Sequence, residues 1–380
     1  MRTEYISILS VSLMLAAGCA ADRVKPAASA PAKPQHLRGR PFSTEVLTFD
    51  FEDKTLSGLL DTPRNKEAQG LVVLVPGSGR TYVHPGRANL EMRSHFTRAG
   101  FSVYAYDKPG CGQSEGKFDN EQTVENSSQE LLAAVRMLRK RGTPGSHNLG
   151  MWGISRAGWI VPLALSKDPT IAFWISVSGP THLSNMRYLL ESNWRLAGKS
   201  EAQIRILSDE WLRGGIIQRS GGTYEEYVSA TPTLAEDPFI KKLRGSYTKD
   251  RFLSYQRWLL NNRPTFDAKS QLMVFVPGFE AVLRSVQAPV LAIFGEGDSQ
   301  VDWRATKALY ERTLSPSTTI DIHTIPRCGH MMQPCEKCAF GGPQTKGVRK
   351  NGLGAACPGF YEAMTAWMTQ QAKTHAKPTP

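Results

Sequence analysis

Along residues 42–180 and again along 286–376, short apolar runs alternate with stretches whose apolar positions recur at helical spacing. Leu71-Val72-Val73-Leu74-Val75 is uninterrupted and rich in β-branched residues, the pattern of a strand buried on both faces. Val103–Tyr106, Leu149–Trp152, Phe173–Val177, Val290–Phe294 and Ile320–Ile325 follow the same logic, and Val46–Phe51 with Leu56–Leu60 predict a short pair ahead of them. Between the runs, Val124, Leu131, Leu132, Val135 and Leu138 share one helix face, and Pro358–Gln371 closes the chain with Phe360, Met364 and Trp367 on one stripe. Strand and helix in succession predict an α/β fold, a mostly parallel sheet covered by helices on both faces. Residues 181–285 break the alternation: Tyr188, Leu189, Trp194, Ile204, Leu207 and Trp211, then Phe252, Tyr255 and Trp258, predict a helical insertion.

The N-terminus has a different character. Arg2 precedes an apolar run from Ile6 to Ala17, too short to span a bilayer with ease and ending in small residues, so residues 1–18 read as a secretory signal. Leu15-Ala16-Ala17-Gly18-Cys19 resembles the bacterial lipobox, which implies cleavage before Cys19 and acylation of that residue; a plain cleavage site near Ala17 is the alternative. Ala20 in place of Asp implies an anchor in the outer membrane facing the periplasm. Residues 19–41 then form an extended tether, since six Ala and three Pro between Ala20 and Pro34 cannot build a core. The expected domains are therefore signal (1–18), lipidated tether (19–41), a first core segment (42–180), a helical lid (181–285) and a second core segment (286–376).

Composition changes this picture little. With 380 residues and 41% hydrophobic positions the chain can bury a large core. Its net charge of +12 invites a nucleic-acid reading, but the positive residues are scattered. The densest group, Arg136, Arg139, Lys140 and Arg141, falls at the end of a predicted helix, where cations suit the dipole. No nucleic-acid partner is expected.

The chemistry gathers where strands end. Gly153-Ile154-Ser155-Arg156-Ala157 follows a strand and opens a helix, and small residues on either side of the serine permit a sharp turn that exposes its hydroxyl. Val75-Pro76-Gly77-Ser78-Gly79 stands after the first long buried run, where glycines let backbone approach a ligand. These segments resemble the α/β-hydrolase family, in its bacterial serine esterase and serine aminopeptidase-like branches. The resemblance implies Ser155 as nucleophile and an oxyanion hole formed by backbone amides of Ser78, or neighbouring Gly77 or Gly79, with Arg156. It implies Asp298 in Gly295-Glu296-Gly297-Asp298 as the acid, with Asp302 and Glu296 as rivals, and His330 in Cys328-Gly329-His330 as the base, with His323 the weaker choice. Asp107, in the turn Asp107-Lys108-Pro109-Gly110, reads as structural.

The family reading implies a carboxylesterase-like serine hydrolase that needs no metal or organic cofactor and takes a small ester with an apolar or aromatic acyl part. A peptidase, amidase or thioesterase with the same triad is the alternative, and a non-catalytic binding lipoprotein on the same scaffold is another. Cys328, Cys335, Cys338 and Cys357 crowd around the histidine loop, and in an oxidising compartment disulfides are the expectation, with a structural zinc site second. Four cysteines allow three pairings; Cys111 is the expected free thiol.

Overall fold

A computed structural model of the protein describes residues 40–83, 89–314, 318–341 and 356–375. The signal segment, Cys19 and nearly all of the tether lie outside these residues, as does most of the loop between Gly341 and Cys357.

Eight strands form one sheet: β1 (Phe42–Phe51), β2 (Lys54–Pro63), β3 (Gly70–Val75), β4 (Phe101–Tyr106), β5 (Leu149–Ile154), β6 (Trp174–Val177), β7 (Val290–Gly295) and β8 (Ile320–Ile325). Their order is β1-β2-β4-β3-β5-β6-β7-β8. The first two strands run antiparallel to their neighbours and the remaining pairs are parallel. The chain steps from β3 out to β4 and then returns to the other side of β3 with β5, so the order reverses at β3 and opens a crevice there at the strands' carboxyl ends.

Every residue of β3, β4, β5 and β7 is buried, as continuous apolar runs demand, and alternate side chains feed two cores. Val73 and Val75 face a core shared with α2 (Val124–Lys140), α3 (Ala157–Lys167), α10 (Phe279–Arg284) and α11 (Trp303–Leu314). Val72 and Leu74 face the other, built with α1 (Leu90–Ala99) and α12 (Phe360–His375). Burial of each such Val or Leu contributes roughly 1.5–3 kcal/mol.

Between β6 and β7 come α4 (Met186–Leu196), α5 (Glu201–Arg219), α6 (Tyr224–Ala230), α7 (Pro232–Glu236), α8 (Pro238–Arg244) and α9 (Lys249–Asn262). Leu189, Leu190, Trp194, Ile204, Leu207, Leu234 and Ile240 give them a core separate from the sheet. The predicted boundary at residue 285 is too generous. Val276, Phe279 and Leu283 pack into the main core, so α10 belongs to the sheet domain. A six-residue amphipathic helix carries no sequence mark of which core it joins.

Candidate active site

The turn after β5 has the geometry its small residues permit. Ser155 has φ 56°, in the left-handed region that costs a non-glycine residue strain. The turn is held by Ser155 N–H donating to Val177 O at 2.9 Å and Gly158 N–H donating to Ser155 O at 2.7 Å. A Cβ at Gly153 would run into the methyl of Ala157, which explains why both positions are small. Ser155 is buried, and its Oγ has no hydrogen-bond partner among the described residues.

Asp298 and His330 meet. His330 Nδ1 lies 2.8 Å from Asp298 Oδ2, with both side chains almost fully buried. The other carboxylate oxygen accepts from the amides of Gln300 at 2.8 Å and Val301 at 3.0 Å, which fixes the plane of the carboxylate. His330 Nε2 is buried without a partner among the described residues, and the backbone O of His330 accepts from Ser178 Oγ at 2.8 Å. Ser178 follows Val177, whose carbonyl holds the Ser155 amide, so two consecutive residues at the end of β6 register the serine turn against the histidine loop. No hydrogen bond joins Ser155 to His330 among the described residues; such contacts often tighten only when substrate binds.

The rivals have other work. Asp302 Oδ1 accepts from the Ala305 amide at 3.1 Å and so caps α11. Glu296 accepts from Thr324, and His323 is exposed on the edge strand β8.

The loop Gly77-Ser78-Gly79 lies against the serine turn. A Cβ on Gly77 would stand 3.1 Å from Ile154 O and 3.2 Å from Ser155 Cβ. Among the described residues, none of the amides of Gly77, Ser78, Gly79 and Arg156 is taken by another group. Lys108 braces this loop: its Nζ donates to Gly77 O at 2.5 Å and to Gly79 O at 3.0 Å. With those carbonyls drawn toward Lys108, the peptide units of the loop are held in one orientation. Sequence reasoning passed over Lys108; its place beside Asp107 in the turn after β4 was the only signal. Burial, then the nearby Arg156 cation, pulls the Lys108 pKa down to about 7, while Glu130 in the same buried cluster is pushed up by desolvation. Asp107 Oδ1 accepts from the Val83 amide at 2.7 Å, a structural contact. The Arg156 side chain points away from the turn, donating to Ser127 Oγ and Gln122 O at the start of α2.

The cysteines pair as Cys328–Cys357 and Cys335–Cys338, leaving Cys111 free and buried. With all four in disulfides, none is available to a zinc ion. The first bridge ties the histidine loop to the start of α12. The second packs on both site loops: a Cβ at Gly297 would meet Cys338 Sγ, and one at Gly329 would meet Cys335 Sγ. Ser299 Oγ also donates to Cys338 O at 2.5 Å. The insert grips the same region, through Tyr188 Oη donating to Asp298 O at 3.0 Å and Asn193 Nδ2 to Ser299 O at 3.1 Å. Disulfides around the histidine loop were expected from the sequence, but the holds from Ser299, Tyr188 and Asn193 were not legible, because each joins residues far apart in the chain.

A sheet that reverses order at β3, with a serine turn after β5 and a His–Asp pair on the loops after β8 and β7, defines a protein of the α/β-hydrolase fold. Within that fold the chain belongs to the serine aminopeptidase S33 family, whose model matches residues 66–336. A proline iminopeptidase from Mycobacterium smegmatis is similar in structure, 16% identical, covering 87% of this chain and 100% of that one with a TM-score of 0.51. A Pyrococcus furiosus esterase, Pf2001, is 17% identical over 88% of this chain and 93% of its own, with a TM-score of 0.47. An uncharacterised 31.7 kDa protein of the traX-finO intergenic region of Escherichia coli is 21% identical over 223 residues, 58% of this chain and 70% of that one.

Proposed function

We propose that this protein is a serine hydrolase of carboxylic esters, acting through an acyl-enzyme with Ser155, His330 and Asp298 as its triad. The observation that carries the reading is the pair of buried, unpartnered atoms, Ser155 Oγ and His330 Nε2, with the other imidazole nitrogen fixed by Asp298. A buried polar atom without a partner is costly, and at a strained turn it marks a place kept for a reacting group.

In this mechanism His330 Nε2 takes the Ser155 proton as Oγ attacks the ester carbonyl carbon, and Asp298 stabilises the imidazolium that results. The carbonyl electron pair moves onto oxygen, where the amide of Arg156 and one of the loop amides at Gly77, Ser78 or Gly79 stabilise it by roughly 3 kcal/mol per donor. Collapse of this intermediate expels the alcohol, which carries off the His330 proton. Water, deprotonated by His330, then attacks the acyl carbon and releases the acid and free Ser155. The family name and the iminopeptidase likeness favour a second reading, an aminopeptidase with the same triad.

A panel of p-nitrophenyl esters against aminoacyl and prolyl p-nitroanilides separates the two readings. Ser155→Ala should abolish turnover and fluorophosphonate labelling; a folded variant that still hydrolyses aryl esters would refute the assignment. We further propose that the enzyme is held in the periplasm on the outer membrane by acylated Cys19, a setting that the two disulfides suit. Labelling with a palmitate analogue should be lost in Cys19→Ala, and the variant should leave the membrane fraction.

A further inference from the structure

The insert holds a partly open cavity of about 150 Å³ between α4, α5, α6, α8, α9 and the segment after α9. Ser155, His330 and Asp298 are not among its lining residues. Five aromatic side chains line it, Trp211, Tyr227, Tyr247, Tyr255 and Phe266, together with aliphatic ones such as Leu190 and Ile240. Two guanidinium groups also line it and no carboxylate does.

Each arginine is presented rather than consumed. Arg219 donates to Gln271 O and Oε1, both at 2.8 Å, and stacks 4.1 Å over the Phe266 ring, so it is held in place by neutral groups. Arg244 lies 4.5 Å over the Tyr247 ring, and its Nε is buried with no hydrogen-bond partner among the described residues. Neither has a carboxylate partner among the described residues. Tyr227, whose ring lies 5.1 Å from that of Tyr247, is 5% exposed and buries a hydroxyl that has no partner among the described residues. The position of Arg244 at the end of α8 suits the helix dipole, but that alone calls for an exposed cation, not a buried unpaired Nε. Burial pulls the Arg219 pKa down and pushes Tyr247 up to about 12, the behaviour of a poorly hydrated pocket.

We propose that this cavity is a binding site for a small aromatic carboxylate, with the ring between the aromatic walls and the carboxylate on Arg244 and Arg219. An apolar cavity of roughly 150 Å³ accepts one benzene ring. The planar guanidinium fork supplies the charge-assisted hydrogen bonds a carboxylate takes, and Tyr227 Oη adds one more donor. A neutral arene would leave both cations and the hydroxyl unsatisfied, which sets the preference for an acid over its amide.

The test is titration of benzoate into the whole protein, by calorimetry and by the fluorescence of Trp211. Saturable binding below about 1 mM is expected, with affinity falling about tenfold or more for Arg244→Gln and for Arg219→Gln, and for benzamide in place of benzoate. Ser155→Ala should bind benzoate as the unaltered protein does, so loss of the proposed hydrolase activity does not touch this site. If a glutamine variant does not fold, the Lys variant at that position is read instead, and should still bind more weakly for want of the fork. No saturable binding, equal affinity for benzamide, or affinity unchanged in the arginine variants would overturn the proposal.

Discussion

Asp298 and Asp302 stand four residues apart, and their surroundings separate their roles. Asp298 is buried against His330, whereas Asp302 is spent on an amide of α11. On the proposed mechanism, Asp298→Asn should lower kcat by about 10³–10⁴-fold with the fold intact, because the imidazole loses the partner that fixes its tautomer. Asp302→Ala should change kcat less than about threefold and cost about 1 kcal/mol of stability through the lost cap. Steady-state kinetics with a denaturant melt on both variants check the pair. Lys108 offers a second test. Removing its hold on Gly77 and Gly79 in Lys108→Met should reduce kcat by roughly 10–100-fold while KM moves little, since the loop amides act on the transition state.

Lys108 also carries a pH signature. In the unfolded chain it keeps its proton to near its ordinary 10.5, and in the folded protein burial lowers that to about 7. Between those values the unfolded state binds more protons, so this residue makes stability rise with pH from about 7 toward 10.5. Arg156 acts in the same direction as burial, and Glu130 and Cys111 oppose it. Urea melts across that range should show the native protein gaining stability relative to Lys108→Met; parallel curves would sink this account.

At the scale of elements, the insert stands out because it owns a core. Trp194 is fully buried there and donates from Nε1 to Asp237 Oδ1 at 3.0 Å, joining α4 to α8. Trp194→Ala should destabilise this unit by about 3–5 kcal/mol. Since the cluster is separate from the sheet's two cores, the loss should stay local: amide exchange should quicken in α4 to α9 while β3 and β5 remain protected. The insert is not merely a cover. Through Tyr188 and Asn193 it holds the backbone of the acid loop, so loosening α4 loosens the setting of Asp298 as well.

For the molecule as a whole, the two disulfides divide the labour of stability and alignment. Cys328–Cys357 closes a span of 29 residues, and loop-closure entropy assigns it about 3.5 kcal/mol. Cys335–Cys338 spans only 3 residues and contributes roughly 2 kcal/mol on the same basis, but it packs on Gly297 and Gly329, beside Asp298 and His330. Replacing the first pair by serines should therefore lower Tm the more, and replacing the second should lower kcat the more for each degree of Tm lost. Reductant that leaves both turnover and Tm unchanged would remove any role for either bridge.

Much of this architecture was open to reading one segment at a time. The runs from Leu71 to Val75 and from Val290 to Phe294 have the pattern of strands buried on both faces, and the small residues around Ser155 permit a tight turn, because these are properties of neighbouring residues. The family resemblance then singled out Asp298 and His330, which the structure brings to 2.8 Å. Tertiary structure alone decided which cysteines pair, that α10 serves the sheet, and that Lys108, Ser178, Tyr188 and Asn193 steady the site. Apart from the Cys335–Cys338 bridge, each of those facts is a contact between distant stretches of chain. Local pattern fixes what an element is and which side it buries, whereas the partner it meets depends on how all the elements pack.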